Sequence, residues 1–362
     1  MPEADGGDRQ REIAFYAPLK SPDHPTPSGD RQIARLTLEA LARAGFTPRT
    51  ASDLRLFDRD GDEAVQQDLA RASVAEAERV IADLRASPPA LWFTYHCYYK
   101  APDLIGPRVA EALGIPYAIS EPSISMKRRT GPWARFAAAS EAAIARADRL
   151  FWTTRRDRPA LEQAGHKGRL THLPAFLAEG PPPKHRGAHD PVRLLTVAMM
   201  RPGDKLESYR RLAAALGHLD GPWLLTVIGD GEAAAAVRAL LSRFSGQVHF
   251  RGQIEEASAM RAAYAAADVF VWPGVGEGVG MVYLEAQAAG LPVVAENHAA
   301  QRDLVAAPLV PVGDAQAFAA AIEETRIERR SLSIAARSHV VEHHGLGAAA
   351  RILRAALGPL VT

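Results

Sequence analysis

Short apolar runs alternate with amphipathic helical stretches along this 362-residue chain, and no other feature narrows its possible folds so far. In the first half the strand candidates are Ile13–Ala17, Pro48–Ser52, Leu91–Tyr95, Pro116–Ser120, Leu150–Thr153 and Leu170–Leu173. Helical patterns lie between them at Arg31–Ala44, Ala64–Ala86, Pro107–Leu113 and Trp133–Ala147. Strand, helix, strand in this order is the signature of parallel sheet covered by helices on both faces. The stretch Leu177–Pro191, LAEGPPPKHRGAHDP, interrupts the pattern with proline and glycine and reads as an interdomain linker.

Beyond the linker the alternation restarts, with strands at Val192–Ala198, Trp223–Ile228, Val248–Arg251, Val269–Trp272, Pro292–Ala295 and Leu309–Val312. Helices are expected from Asp204, from Glu232, near Glu255–Ala267, and after the glycines that follow Trp272. The closing segment, Arg329–Leu360, reads as helical with a break near Gly345–Gly347. The expected architecture is α/β: two doubly wound Rossmann-like domains, residues 13–176 and 192–345, facing an interdomain cleft. Residues 1–12 are expected to be a disordered tail and residues 177–191 the linker. Sheets of this kind bind ligands at the carboxyl ends of their strands.

Bulk properties exclude several classes. With 47% hydrophobic and 23% charged residues the composition is that of a globular protein, and a net charge of +1 gives no global argument for nucleic acid. The lone cysteine, Cys97, rules out an intramolecular disulfide and fits a reducing compartment. No apolar run approaches the roughly 18 to 20 residues that cross a bilayer, and the start, MPEADGGDRQRE, lacks the apolar core of a secretory signal. These features read as cytoplasmic, with peripheral contact at the inner face of a membrane left open.

The segment Pro273–Ala295, PGVGEGVGMVYLEAQAAGLPVVA, carries the chemistry. Glu277 sits among the glycines of a loop, and Glu285 lies inside the helix that follows. Glycines let the backbone approach a ligand closely, and a helix start offers unpaired N–H groups to an anion. A ligand with phosphates in its middle and hydroxyl-rich sugars at both ends suits that layout, which describes a nucleotide sugar.

Several motifs, in order, resemble the family-4 retaining glycosyltransferases of the GT-B fold. They are MRPGDKLESYRRL (Met200–Leu212), LLTVIGDGE (Leu224–Glu232), VHFRGQI (Val248–Ile254), ADVFVWPGVGEGVGMVYLEAQAAGLPVVA (Ala267–Ala295) and PLVPVGDAQAFAAAIE (Pro308–Glu323). Glu277 and Glu285 match that family's glutamate pair, eight positions apart. The N-terminal half is similar more loosely, through Pro27-Ser28-Gly29-Asp30 ahead of Arg31–Ala44; the family usually has two adjacent glycines there, where this chain has Gly29 alone. The resemblance implies that a helix at residues 346–362 rejoins the N-terminal domain, and that this domain binds the acceptor.

It also implies roles. Glu285 would hold the ribose hydroxyls, and Glu277 would touch the donor sugar. The backbone of Gly278, Val279, Gly280 and Met281 would face the diphosphate or sugar, and Gly29, in the first loop, would also bind the donor. Arg201 and Lys205, four apart after a strand, can neutralise a leaving diphosphate. Gly229 would permit a tight turn, while Gly252 and Ile254 would lie near the base. His96, at a strand's carboxyl end beside Cys97, Tyr98, Tyr99 and Lys100, would contact donor or acceptor. Each has a plainer alternative: a solvated glutamate, a surface cation at a helix start, a satisfied core histidine, aromatics that are simply core.

Glu121 stands where many relatives have histidine and either acts on the acceptor or caps the next segment. The basic loop Met126–Arg135, MKRRTGPWAR, suits an anionic acceptor or lipid headgroups, although a solvated charge cluster is the commoner explanation. Asp58-Arg59-Asp60-Gly61-Asp62 imitates a metal loop but lacks the glycine and glutamate that a calcium loop needs, at Glu63 and Leu69. No metal and no cofactor is expected, since cations can replace a metal at the diphosphate.

The resulting expectation is transfer of a sugar, with retention, from a UDP-, GDP- or ADP-linked donor to an acceptor hydroxyl on a glycan, a lipid-linked molecule or a small molecule. A GT-B hydrolase or epimerase, and a noncatalytic nucleotide-sugar-binding protein, are the alternatives. A Rossmann oxidoreductase is disfavoured because no dinucleotide fingerprint follows the first strand.

Overall fold

The computed structural model describes residues 11–26, 28–181 and 189–361. Pro27, residues 1–10 of the expected tail and residues 182–188 of the expected linker lie outside the described residues. The chain divides into two compact units, one running to Phe176 and resuming at Leu346, the other from Leu177 to Gly345.

In the first unit the order is β1 (Glu12–Tyr16), α1 (Gly29–Arg43), β2 (Thr47–Ser52), α2 (Glu63–Leu84), β3 (Leu91–Tyr95), α3 (Gly106–Leu113), β4 (Tyr117–Ser120), α4 (Ala134–Arg146), β5 (Arg149–Trp152), α5 (Arg158–Gln163) and β6 (Leu170–His172). All six strands are parallel, in the order β2-β1-β3-β4-β5-β6. The chain winds outward from β1 to β2, then returns to the other side of β1 for β3, so the winding reverses between β1 and β3. Side chains alternate across the sheet as a period of two demands. Ile13, Phe15, Leu91 and Phe93 face one layer with Ala40 and Leu41 of α1. Ala14, Tyr16, Trp92 and Tyr117 face the other, against Val80 of α2, Val109 of α3 and Ile144 of α4.

Helix starts are written into the sequence. Ser28 accepts the Arg31 N–H at 3.2 Å ahead of α1, and Asp62 accepts the N–H groups of Ala64 and Val65 ahead of α2. The second of these explains the acidic run at 58–62. Asp58 is buried and accepts from the Asp60 and Gly61 amides and from Gln66, so the run builds a turn and a helix cap.

The second unit holds β7 (Val192–Val197), α6 (Asp204–Leu216), β8 (Trp223–Ile228), α7 (Ala234–Leu241), β9 (Val248–Phe250), α8 (Ala257–Ala266), β10 (Val269–Val271), α9 (Met281–Ala288), β11 (Val293–Val294), α10 (Gln301–Leu304), α11 (Ala315–Ile327) and α12 (Arg329–His339). Its five parallel strands run β11-β10-β7-β8-β9, so the winding reverses between β10 and β7. Leu194, Leu225, Val227, Val269 and Phe270 are fully or almost fully buried within it. The break in the closing segment is a π-helical stretch, Val340–His344, followed by Gly345 in extended conformation. The chain then enters α13 (Leu346–Leu357), which packs on α1: Leu353 and Leu357 join the layer containing Phe15, and Arg354 Nε donates to the Ala44 carbonyl at 2.7 Å.

Three expectations need correction. Leu309–Val312 is not a strand; Val310 makes a single bridge to Glu296, and Pro308 and Pro311, on either side of it, lack the N–H that would extend a ladder. Strand β1 begins at Glu12, inside the expected tail. Helices α5, α10 and α11 were not foreseen. The first starts at a proline-bearing turn, the second spans only Gln301–Leu304, and the third is capped by Asp314, which accepts the Ala317 N–H at 2.9 Å.

Candidate active site

The reversal between β7 and β10 is where a sheet of this kind opens a crevice at its carboxyl end. Two helices start there, α6 after β7 and α9 after β10. Each is preceded by a glycine, Gly203 and Gly280, both at positive φ and neither offering a capping side chain. Their first N–H groups therefore lack side-chain acceptors, and both positive dipole ends belong to the same crossover.

Lys205, in the first turn of α6, forms an ion pair with Glu277 from the loop after β10. The same carboxylate oxygen accepts the Trp272 indole N–H at 2.9 Å, and the Lys205 ammonium lies 5.7 Å from the Trp272 ring centroid. Trp272 is fully buried and closes β10. The pair thus bridges the two strands at which the winding reverses.

The loop carrying Glu277 is held from below. Ser208 of α6 accepts the Val275 N–H at 2.9 Å, and Gln301 of α10 donates to the Gly274 carbonyl at 2.9 Å and to the Tyr283 hydroxyl at 3.0 Å. Tyr283 in turn donates to the Trp272 carbonyl at 3.1 Å. Gly274 and Gly276 have no room for a side chain: a Cβ would fall 1.9 Å from the Tyr283 hydroxyl and 2.0 Å from the Asp204 carboxylate. At Gly278 nothing lies within 4 Å, so that backbone faces open space. Val279, Gly280 and Met281 are half-buried beside it.

Glu285 projects from α9 and accepts the Tyr264 hydroxyl of α8 at 2.8 Å. The residue is exposed, while its carboxyl is packed against Tyr264 and partly desolvated by the surrounding protein. That desolvation raises its pKa, with the Tyr264 hydrogen bond opposing it. Arg201 is exposed and makes no ion pair among the described residues. Gly229, after β8, sits so tightly against β7 that a Cβ would approach the Ala198 carbonyl to 1.9 Å, and its N–H donates to Gly252 at 2.8 Å. The loops after β7, β8 and β9 are thereby tied together, with half-buried Ile254 on the last of them. The structure brings Lys205 and Glu277 into contact; Arg201 and Glu285 stand apart from that pair with other surroundings.

The first unit repeats the arrangement at its own reversal. Asp30, in the first turn of α1 next to Gly29, pairs with His96 at the end of β3, Oδ1 to Nδ1 being 3.2 Å. His96 has φ of +60° and Glu121, at the end of neighbouring β4, has φ of +52°, conformations rarely adopted by residues with side chains, which the surrounding structure must hold. Burial pushes the His96 pKa down, but Asp30 and the charges of Glu121 and Asp157 more than reverse this, so it is raised. The Glu121 carboxyl is also raised, by burial first and by Asp30 and Asp157, with His96 opposing. Cys97 is buried, its thiol pushed up to about 12 by desolvation, and takes no exposed position beside them.

An aromatic series leads away from His96. Its ring stacks on Tyr98 at 4.7 Å, Tyr98 meets Tyr99 at 5.5 Å, and Tyr99 meets Trp133 at 5.8 Å. Sequence reasoning missed Trp272, Tyr264, Ser208 and Gln301 as the groups that position the loop. Only the order of the strands brings them there. Among the described residues no group of three or more His, Cys, Asp or Glu side chains is arranged to hold a metal ion, and no helix is long and apolar enough to cross a membrane.

Comparison with known proteins accords with this geometry. Residues 191–326 match the family model described as glycosyl transferases group 1, so the second unit carries a domain of that kind. The chain is 38% identical over 122 residues to a GDP-mannose-dependent alpha-mannosyltransferase of Mycolicibacterium smegmatis, covering 32% of this chain and 31% of that relative. It spans about a third or less of the length of the curated relatives it matches. Over 97% of this chain the fold resembles sucrose-phosphate synthase from Thermosynechococcus elongatus, with a TM-score of 0.65, 19% identity and 99% of that chain covered. It also resembles Anabaena HepE, solved with UDP and glucose, with a TM-score of 0.64, 14% identity, and 97% and 100% of the two chains covered. The fold is GT-B, built from two parallel-sheet Rossmann-like units.

Proposed function

We propose that this protein is a retaining glycosyltransferase that moves a hexosyl group from a nucleoside-diphosphate sugar to an acceptor hydroxyl. The observation that carries this reading is the meeting of two glycine-led helix starts with the Lys205–Glu277 pair at the reversal of the second sheet. A diphosphate is the natural occupant of such a place, because it accepts free N–H groups and satisfies cations together. The Mycolicibacterium smegmatis relative is named for GDP-mannose and HepE was solved with UDP, which supports a UDP- or GDP-linked donor.

In this reading Lys205 exchanges the Glu277 carboxylate for phosphate oxygen, and Arg201 joins it from solvent. Glu277, released, accepts hydroxyls of the donor sugar. The backbone from Gly278 to Met281 lies along the diphosphate and sugar, Glu285 accepts the two ribose hydroxyls, and the loop of Gly252 and Ile254 borders the base. As the glycosidic bond breaks, negative charge grows on phosphate and is stabilised by Arg201, Lys205 and the α6 and α9 N–H groups. The departing phosphate oxygen takes the acceptor's proton on the same face, which gives retention without a protein base. Acceptor recognition is assigned mainly to the first unit, around His96. These cations serve where other enzymes place a metal, so activity is expected in chelator. The single, buried cysteine supports a cytoplasmic setting.

Thermal shift with UDP-, GDP- and ADP-sugars, followed by product stereochemistry by NMR, tests the proposal. At least one donor should raise Tm, and the transferred sugar should keep its anomeric configuration. No stabilisation by any of them would overturn the donor assignment, and an inverted product the mechanism.

A further inference from the structure

The aromatic series that begins at His96 ends among cations that form no ion pair among the described residues. The Arg128 guanidinium lies 4.6 Å from the Trp133 ring centroid and 5.1 Å from that of Tyr99, and the Lys100 ammonium lies 4.9 Å from Trp133. Both cations therefore sit within one Debye length of each other, about 10 Å at 0.1 M salt. Neither takes part in an ion pair among the described residues. Their neighbour Arg129 behaves differently, held by Glu141 through hydrogen bonds of 2.9 and 2.8 Å. The carboxylate of buried Asp58, in the adjoining turn, is occupied by the Asp60 and Gly61 amides and by Gln66.

This cluster is built rather than loose. Lys100 donates to the Arg59 carbonyl at 2.8 Å, which fixes its direction. Gln66, itself buried, donates to the Pro132 carbonyl at 2.9 Å and so anchors the backbone before Trp133. Gly61 packs against Pro132 and Trp133 so closely that a Cβ would fall 2.4 Å from Pro132 Cβ. A solvated pair of surface cations would separate; here both are half-buried against one indole. Ring faces attract cations and hold them near each other, but they leave the N–H donors of Arg128 without an acceptor among the described residues and neither cation in an ion pair there.

We propose that Lys100 and Arg128, held on Trp133 and Tyr99, form a subsite for a phosphate ester carried by the acceptor, with the Tyr98–Tyr99 rings lying between that anion and His96. A planar guanidinium can grip two phosphate oxygens, and an ammonium beside it supplies the second charge. The aromatic faces suit the apolar sides of a sugar or cyclitol ring. The term acceptor rests on the transferase reading above; the binding of a phosphate ester does not. The ester can belong to a soluble molecule or to a lipid headgroup, and the chemistry recognised is the same.

The test titrates the full chain with glycerol 3-phosphate in one arm and sediments it with phosphatidylglycerol vesicles in another, using glycerol and phosphatidylcholine vesicles as uncharged or neutral controls. Nucleotide-sugar binding is measured in parallel. Saturable, salt-sensitive binding in either charged arm is expected, and the responding arm identifies the source. Arg128→Gln and Lys100→Gln should each weaken it roughly tenfold or more while nucleotide binding and Tm hold. Arg128→Lys should recover part of the loss. Binding no stronger than the controls in both arms, or unchanged binding in both Gln variants, overturns the subsite. If Arg128→Gln does not fold, Lys100→Gln alone decides. Failure of nucleotide binding with phosphate binding intact would remove the transferase reading and leave this one standing.

Discussion

Lys205 and Glu277 are 72 residues apart in sequence and joined as an ion pair, on a carboxylate that also accepts the Trp272 indole N–H. The Glu277 side chain is only 9% exposed, against 28% for Lys205, so the carboxylate depends on these partners. Lys205→Ala should therefore lower Tm, by about 1–3 kcal/mol of stability, as well as kcat. Adding Glu277→Gln removes the orphaned charge and should restore most of the Tm without restoring turnover. Denaturation midpoints and single-turnover rates on the two single variants and the double variant measure this. A double variant that regains activity would show the pair to be purely structural.

Glycine chemistry separates support from ligand contact in the same unit. Gly229→Ala places a Cβ 1.9 Å from a backbone carbonyl at φ of +138°, which no side-chain adjustment relieves. A loss of about 2 kcal/mol or more is expected, with a visibly lower Tm. Gly278→Ala meets nothing within 4 Å and should leave Tm nearly unchanged. If the donor lies against this backbone, however, the added methyl raises the donor KM severalfold. Equal Tm losses in the two variants would contradict the packing described.

These contrasts mark what could be read from sequence. Strand and helix order was legible because parallel strands, buried on both faces, show as short apolar runs between amphipathic helices. The Glu277 and Glu285 spacing was legible because it is local. Leu309–Val312 looked like a strand from its apolar content, yet Pro308 and Pro311, on either side of Val310, leave it one bridge. Trp272, Tyr264 and Gln301 carry no local signal, since their roles arise only when α8, α10 and the loop after β10 come together. The left-handed conformations of His96 and Glu121 were equally invisible, because neither residue type announces positive φ.

If Glu285 accepts the donor's ribose hydroxyls, Tyr264 sets a pH limit on that binding. The Glu285 carboxyl is raised by desolvation, and the Tyr264 hydroxyl counteracts this by bonding the charged form. Tyr264→Phe removes that opposition, so the carboxyl should protonate at higher pH than in the unsubstituted protein. A protonated carboxyl is a weaker acceptor for ribose hydroxyls, so donor affinity should begin to fall at a higher pH as the solution is acidified. Glu285→Ala should weaken the donor at all pH values, by about 1.5–3 kcal/mol. Donor Kd against pH distinguishes the three proteins, and coincident profiles for Tyr264→Phe and the unsubstituted chain would refute the linkage.

Asp30 and His96 make the corresponding prediction for stability. Burial acts to lower the His96 pKa, and the Asp30 hydrogen bond with the Glu121, Asp30 and Asp157 charges raises it above the ordinary value. A raised folded-state pKa means that the native state binds more protons than the unfolded chain, whose histidine titrates near about 6.5. The resulting stability is fully present below that value and is lost as pH rises through the folded pKa. Glu121, also raised, acts with the same sign in its own lower window, from the unfolded carboxyl value upward. The contribution of these two groups to stability should consequently decline as pH is raised from mildly acidic to mildly alkaline. It is read as the difference in Tm between the unsubstituted protein and each variant, since His339 and His166, whose pKa values are lowered, act with the opposite sign in the acidic range. Asp30→Asn should flatten the upper part of that decline, because the imidazolium loses its nearest carboxylate, whereas Glu121→Gln should chiefly flatten the lower part. A Tm profile in Asp30→Asn that runs parallel to that of the unsubstituted protein across this range would show that the His96 proton is held by something other than this pair.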